Sequence, residues 1–249
     1  MPRYFLELSY KGTAYSGFQI QDTGTTIQSV VTDALQTIFR QAFALTGSSR
    51  TDAGVHAQQN YFHFDTDLEI SSRQVYGLNA VLPKDIAVHR IVPVASDAHA
   101  RFQAISRSYR YSIHTRKDPF LTETAWLYPF PINIDALHEA ASILMEYTDF
   151  TSFSKRNTQV NNFNCQLSRS EWMEKDGLLV YEVTANRFLR GMIRGLVATM
   201  LKTGRGSLSM HGFREILEAK DCSKADFSAP AHGLCLMQVN YPATILPLS

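Results

Sequence analysis

A short polar loop contains the residues of this chain whose types and spacing are best suited to chemistry. The segment SSRTDAGVHA (48–57) places Arg50 two residues before Asp52, among Ser, Thr and Gly residues. Catalytic groups often lie on loops of this kind, between the helices and strands of a rigid scaffold. The residues alone leave an alternative open, because Asp before Ala53 and Gly54 is also typical of an Asx turn, whose carboxylate accepts backbone hydrogen bonds.

A first cluster of basic residues favours a nucleic-acid partner. Residues 100–117 include five Arg or Lys and no acid, with Phe102, Tyr109 and Tyr111 between them. Such interleaving of charge and aromatic rings can bind phosphates and stack unpaired bases. In a strand, Tyr109 and Tyr111 share one face and Arg110 takes the other. A tyrosine pair in the core with arginines on a solvated face remains the alternative.

A second basic cluster lies at 186–205, again with five Arg or Lys and no acid. We predict a helix from about 187 to 202, in which Arg187, Arg190 and Arg194 share one face and apolar residues the other. One of these arginines could face a carboxylate. A solvated arginine stripe is the other interpretation.

Composition limits the function classes. Lys and Arg number 24 against 23 Asp and Glu, so any binding of nucleic acid must come from local patches rather than net charge. The three cysteines form no C-x-x-C pair, and no signal peptide or 18-residue apolar run is present, which predicts a cytoplasmic protein. Scattered histidines and the absence of G-x-G-x-x-G, Walker and G-x-S-x-G motifs predict no metal, no nucleotide cofactor and no serine nucleophile.

Strands and helices alternate twice without a regular βαβ rhythm, which predicts an α+β fold with mainly antiparallel sheets. We divide the chain into halves at 1–105 and 106–249, and the lack of a low-complexity linker favours a joint sheet or a tight interface. In the first half we expect strands at 3–10, 60–67 and 86–94, and helices at 25–43, with a Thr25–Gln28 capping box, and near 71–80. In the second half we expect strands at 107–115, 178–186 and 234–241, and helices near 133–147, from about 187 to 202, and near 211–220.

The 48–57 loop closely resembles the catalytic loop of TruA-type tRNA pseudouridine synthases, which is usually written GRTDAGVHA. Further segments look like family segments in the expected order: YKGTAYSGFQIQ (10–21), LNAVLPKDIAV (78–88), HARFQAISRSYRY (99–111), DFTSF (149–153), NRFLRGMIRGLV (186–197) and APAHGLCL (229–236).

The resemblance implies two similar α+β halves that share a mainly antiparallel sheet, with helices packed on it and a central active-site cleft. It also implies a cofactor-free isomerase that acts as a homodimer on uridines 38, 39 and 40 of the tRNA anticodon arm. A pseudouridine synthase for another RNA site and a non-catalytic RNA-binding module are the alternatives that the sequence leaves open.

By position, Asp52 matches the catalytic aspartate, Tyr109 the active-site tyrosine and Arg194 the basic residue that pairs with the aspartate. Leu234 and Leu236 match the segment that lines the uracil pocket. We further expect Arg50, Arg110 and Arg190 to bind the RNA. The departures from the family pattern are Ser49 for Gly, Phe18 for Trp, Ala98 for Phe and Arg187 at a usually small position.

The implied reaction detaches uracil from ribose at its ring nitrogen, rotates it and rejoins it through carbon 5. Asp52 would attack the base or the sugar as a nucleophile, or remove a sugar proton to give a glycal. The resemblance assigns Arg194 to keeping Asp52 ionised and oriented, and Tyr109 to holding the flipped base.

Overall fold

The computed structural model describes residues 1–156 and 160–246 and divides the chain into two compact units. Unit 1 comprises Met1–Arg107 and Cys235–Ser249, and unit 2 comprises Ser108–Leu234. Each unit combines helices with mainly antiparallel strand pairs, which confirms the predicted α+β class. No helix in the part of the chain that the structure describes is long and apolar enough to cross a membrane.

Unit 1 is built on a sheet whose central strands are covered on both faces. The elements of unit 1 are β1 (Arg3–Tyr10), α1 (Ile27–Phe39), β2 (Thr46–Gly47), β3 (His56–Asp65), α2 (Ser72–Val81), β4 (Ile86–Val94) and β9 (Leu234–Asn240). The strand order is β4-β1-β3-β9, and the short strand β2 also pairs with β3. Helix α2 is fastened to β4 because the Asn79 side chain exchanges two hydrogen bonds with the backbone of Val88 (2.7 and 2.8 Å).

The last strand of the chain belongs mostly to unit 1, although it was counted in the second half of the sequence. It runs parallel to β3, with His56 opposite Cys235 and Ala57 opposite Leu236. Leu236 and Val239 are buried there, and the Val239 N–H donates to the Gln59 side-chain oxygen of β3 (3.1 Å). The boundary predicted at residue 105 stays a prediction about domains.

The elements of unit 2 are β5 (Ser106–His114), whose first two residues belong to unit 1, β6 (Trp126–Leu127), α3 (Ile134–Leu144), β7 (Leu167–Lys175), β8 (Leu178–Ala185), α4 (Met192–Gly204) and α5 (Met210–Glu218). The strand order is β5-β8-β7, and β6 pairs in parallel with β5. Helix α3 packs on α4 and on β7, where the Ser170 hydroxyl donates to the Ala141 carbonyl (2.9 Å). Strand β7 was not predicted.

Two predicted helix starts are wrong. Helix α1 is capped by Thr26, whose side chain accepts from the backbone N–H of Ser29 (3.2 Å), rather than by Thr25. Helix α4 begins at Met192, five residues later than expected. Gly191 has a φ of +74°, a left-handed conformation that glycine adopts without a steric penalty and that interrupts the helix on its N-terminal side.

A buried amide ties strand β3 to β1 and to the loop that precedes β3. The Asn60 amide donates to the Tyr10 hydroxyl (3.1 Å) and to the Ser49 carbonyl (3.0 Å), and its oxygen accepts from the Ser48 hydroxyl (2.7 Å). The Tyr10 hydroxyl is in turn 2.8 Å from the Thr51 hydroxyl. Since Asn60 is fully buried, every one of these bonds is protected from water.

Replacing this amide tests how strongly the network stabilises unit 1. We expect Asn60→Ala to lower the free energy of unfolding by about 1–3 kcal/mol for each buried group that loses its partner. Urea unfolding measures the change. Gln58→Ala is the matched control, because Gln58 is an exposed amide on the same strand. Equal stability of the two variants would contradict a stabilising role for the network.

Candidate active site

The Asp52 loop joins β2 to β3, and main-chain groups close its turn. The Val55 N–H donates to the carbonyl of Asp52 (3.1 Å), and Gly54 has a φ of +80°. Within the described residues of unit 1, no group donates a hydrogen bond to the Asp52 carboxylate, which is half-buried. The Asx turn is therefore not formed by these groups.

Side chains alternate along this loop between the core and the solvent. Ser49 and Thr51 are buried, and Thr51 is fixed by the Tyr10 hydroxyl. Arg50 lies between them and is exposed. The alternation therefore leaves the guanidinium of Arg50 on the outside of a loop whose inner side is fastened to the core, a suitable place for a contact with RNA.

A second loop, within residues 10–21, contacts the Asp52 loop and supports it. Gly12 donates its N–H to Nδ1 of the buried His56 (2.9 Å), and a Cβ at Gly12 would lie only 2.0 Å from the Val55 carbonyl oxygen. Phe18 donates its N–H to the Thr51 carbonyl (3.1 Å). The segment 10–21 thus contacts the Asp52 loop, which gives a physical reason for its resemblance to a family segment.

Two of the departures from the family pattern fit their surroundings. The ring of Phe18 stacks on that of Phe62, with centroids 4.5 Å apart and planes inclined by 12°. Ser49 accepts a long hydrogen bond from Nε of Arg107 (3.5 Å), while its carbonyl accepts from Asn60. Both residues are therefore packed parts of the scaffold around the loop.

In unit 2, the two tyrosines of β5 have different surroundings. Tyr111 is fully buried, and its hydroxyl donates to the Pro230 carbonyl (2.8 Å), so it belongs to the core as the alternative interpretation held. Tyr109 has an exposed fraction of 8%, and its ring packs edge to face with that of Phe188, with the ring centroids 5.2 Å apart. Tyr109 is thus a packed ring at the boundary of the core.

The predicted arginine stripe does not exist. Because α4 begins at Met192, Arg187 and Arg190 lie in the segment before the helix, where the Arg190 carbonyl accepts from the Lys155 N–H (3.0 Å). Of these three arginines, only Arg194 lies on α4, in its first turn. Its Nε donates to the carbonyl of the buried Ala229 (2.6 Å), which fastens α4 to the segment leading into Leu234.

Arg110 is already engaged by an acid of its own unit. Its guanidinium contacts Glu182 of the neighbouring strand β8 through two nitrogens (3.0 and 2.7 Å), and Arg169 contacts the same carboxylate. Arg190, in contrast, is exposed and has no ion pair with any residue that the structure describes. Arg190 is therefore better placed than Arg110 for a new phosphate contact.

The predicted site residues are distributed over both units. Arg50, Asp52 and Leu236 belong to unit 1, and Tyr109, Arg194 and Leu234 to unit 2, with both leucines buried. The pairing of Asp52 with Arg194 stays a prediction. Sequence reasoning missed Asn60, Tyr10 and His56, because Asn60 is a buried amide in the middle of β3 and its hydrogen bond to Tyr10 joins residues fifty positions apart.

Comparisons with known proteins agree with these features. A family profile described as tRNA pseudouridine synthase matches residues 8–103 and 140–242. The chain is 44% identical to tRNA pseudouridine synthase A of Parabacteroides distasonis over 250 residues, covering 100% of this chain and 99% of that protein. It is 42% identical to the protein of the same name from Porphyromonas gingivalis (98% and 99% covered) and 38% identical to that of Staphylococcus aureus strain MRSA252 (95% and 91%). With the profile and the relatives both spanning the Asp52 loop and most of the two units, this chain belongs to the tRNA pseudouridine synthase family.

Proposed function

We propose that this protein isomerises uridine to pseudouridine in the anticodon stem-loop of tRNA, at positions 38, 39 and 40, with Asp52 as the nucleophile or base. One observation carries the proposal: the RTDAGVHA loop is fastened to the core through Asn60, Tyr10 and Thr51, while unit 1 leaves its carboxylate unpaired. A fixed backbone with an unengaged functional group is what a preorganised catalytic site needs.

The isomerisation of uridine requires the Asp52 carboxylate to act either as a nucleophile or as a base. The bond between ribose carbon 1′ and the uracil ring nitrogen breaks, the base rotates, and a bond from carbon 1′ to ring carbon 5 forms. Asp52 either attacks and is later displaced, or accepts a sugar proton and returns it. The proton displaced from carbon 5 ends on the ring nitrogen by exchange with solvent, so product and substrate are isomers and no redox partner is consumed.

The other site residues would hold the base and the carboxylate during this rotation. Arg194 would pair with Asp52 in the substrate complex, because a carboxylate enclosed beside uracil needs a fixed partner. Tyr109 would contact the flipped base, and Leu234 and Leu236 would form an apolar wall around it. The Ala229 contact supports this role for Arg194, since it orients the guanidinium from the first turn of α4.

RNA binding would use the exposed basic residues. Arg50 beside the catalytic carboxylate and Arg190 before α4 would contact phosphates, with Arg110 in a smaller role because Glu182 already holds it. We further propose that the protein works in the cytoplasm as a homodimer. A synthase for another RNA site remains the second candidate, distinguished by mapping the modified nucleotide.

The first test removes the carboxylate. We expect Asp52→Asn to lower the rate of tritium release from tRNA labelled at uridine carbon 5 by roughly 10³-fold or more, while tRNA affinity survives, because only the reactive group is lost. Asp33→Asn, an exposed aspartate on α1, is the control and should react normally. Near-normal release by Asp52→Asn would refute the assignment. A wild-type protein that binds tRNA without releasing tritium would favour the non-catalytic module.

A second test concerns phosphate contacts. Each phosphate neutralised by a basic residue releases counterions, so tRNA affinity should fall steeply between roughly 50 and 200 mM salt. We expect Arg190→Ala to reduce the slope of this dependence by about one unit. Arg110→Ala serves as the matched comparison and should change the slope less, because Glu182 already neutralises Arg110. Equal slopes for wild type and Arg190→Ala would exclude a phosphate contact at Arg190.

A further inference from the structure

The aromatic side chain of Phe102 in unit 1 is largely exposed, although its loop makes several hydrogen bonds. Phe102 is 75% exposed in the turn between β4 and β5, and Ile105 three residues later is 58% exposed. The Phe102 ring lies 4.2 Å from the imidazole of His99, and the Arg101 guanidinium is 5.7 Å from its centroid. An exposed ring flanked by cationic and aromatic groups differs from an isolated surface phenylalanine.

The backbone beneath this ring is held on several sides. Arg107 donates to the carbonyls of Arg101 (2.7 Å) and Ala104 (3.0 Å), and the Tyr241 hydroxyl donates to that of Ala100 (2.5 Å). At the end of the segment, the Ile105 N–H donates to the Asn240 carbonyl (2.8 Å).

Two histidines complete this support from below. The N–H of Ala100 donates to Nδ1 of His63 (3.2 Å), and the N–H of Arg101 to Nδ1 of His99 (3.1 Å). Burial lowers the pKa of His63 to about 4, so its nitrogen remains an acceptor at neutral pH. The ring therefore stands on a segment that does not have to become ordered when a ligand binds.

We propose that residues 99–105 form a stacking platform on which Phe102 binds an unpaired base of the RNA substrate. This inference rests on the proposed function and adds a binding site beside it. A solvent-facing ring on an ordered backbone is what base stacking requires, and the Arg101 guanidinium adds positive charge 5.7 Å from the ring centroid.

The composition of the patch favours RNA over a second protein surface. Within the platform segment, residues 99–105 include Arg101 and no acid, so the segment itself carries positive charge that attracts a polyanion. Phe102 and Ile105 are its strongly exposed apolar side chains. The area of two side chains is far smaller than the roughly 800 Å² that each partner of a stable protein complex buries. One ring and one aliphatic side chain match the size of a nucleobase instead.

Binding to an unmodified tRNA transcript tests the platform. We expect Phe102→Ala to weaken affinity by about 5- to 100-fold, the loss that one base–aromatic stack represents, without changing the salt slope. Phe102→Trp should retain affinity, and RNA should quench its added fluorescence. Tyr76→Ala is the matched control, because Tyr76 is 79% exposed on α2 of the same unit, and it should bind like wild type.

A fully paired RNA duplex provides the second arm. Its bases are not open to stacking, so wild type and Phe102→Ala should bind it equally. Unchanged tRNA affinity in Phe102→Ala, or an equal loss on the duplex, would overturn the platform. A change in mass by light scattering in Phe102→Ala would overturn it too, in favour of contact with a second copy of the chain.

Tritium release by the wild type separates the two proposals. If the wild type releases tritium and Phe102→Ala binds tRNA normally, the stacking platform is refuted and the proposed function is not. If the wild type neither binds tRNA nor releases tritium, the proposed function fails and the platform fails with it.

Discussion

The geometry of the Asp52 loop depends on one buried amide. Asn60 has no access to water, and a buried amide without partners is costly, so each of its polar atoms must meet a protein group. The groups that meet it come from β1 and from both serines of the loop, at Tyr10, Ser48 and Ser49. Any shift in the register of β1 against β3, or any rearrangement of the loop, breaks at least one of these bonds. Because each polar atom of Asn60 needs a hydrogen-bond partner, these bonds fix the backbone of the loop that carries Asp52.

The same loop shows how stability and reactivity are divided between neighbouring residues. Ser49 and Thr51 are buried and engaged, so they contribute to stability, whereas Arg50 between them is exposed and Asp52 after them is half-buried. Glycines at two positions allow the supporting segment to approach so closely. A Cβ at Gly12 would overlap the Val55 carbonyl, and Gly17 has a φ of +104° against the Thr51 carbonyl. The support is therefore main chain against main chain, which leaves little room for the loop to move.

Local patterns predicted most elements, and the failures have identifiable physical causes. Strands β1 and β4 have the predicted bounds because alternation and turn residues define both ends. Strand β7 was missed since LSRSEWMEK buries only Leu167 and Trp172, and its remaining positions have no apolar period. Helix α4 was started too early because arginine spacing imitates a helix face, whereas the left-handed Gly191 is a conformation that sequence does not specify uniquely. At the site, the assignment of Asp52 comes from the resemblance and stays a prediction, and the Asn60 network joins residues fifty positions apart and has no local signature.

Near-neutral net charge is compatible with a locally basic RNA-binding surface because the positive and negative groups are unevenly placed over the protein. Arg3, Arg90 and Arg110 each pair with a carboxylate of their own unit, at 2.6–2.7 Å. Such pairs contribute little to long-range attraction, since their opposite charges sum to zero and salt screens what remains beyond about 8 Å. The field that a polyanion meets is set by the cations outside these pairs, among which Arg50 and Arg190 are exposed. A charge count over the whole chain does not distinguish paired arginines from unpaired ones. The positions of the carboxylates, rather than the number of arginines, therefore decide where a phosphate backbone can lie.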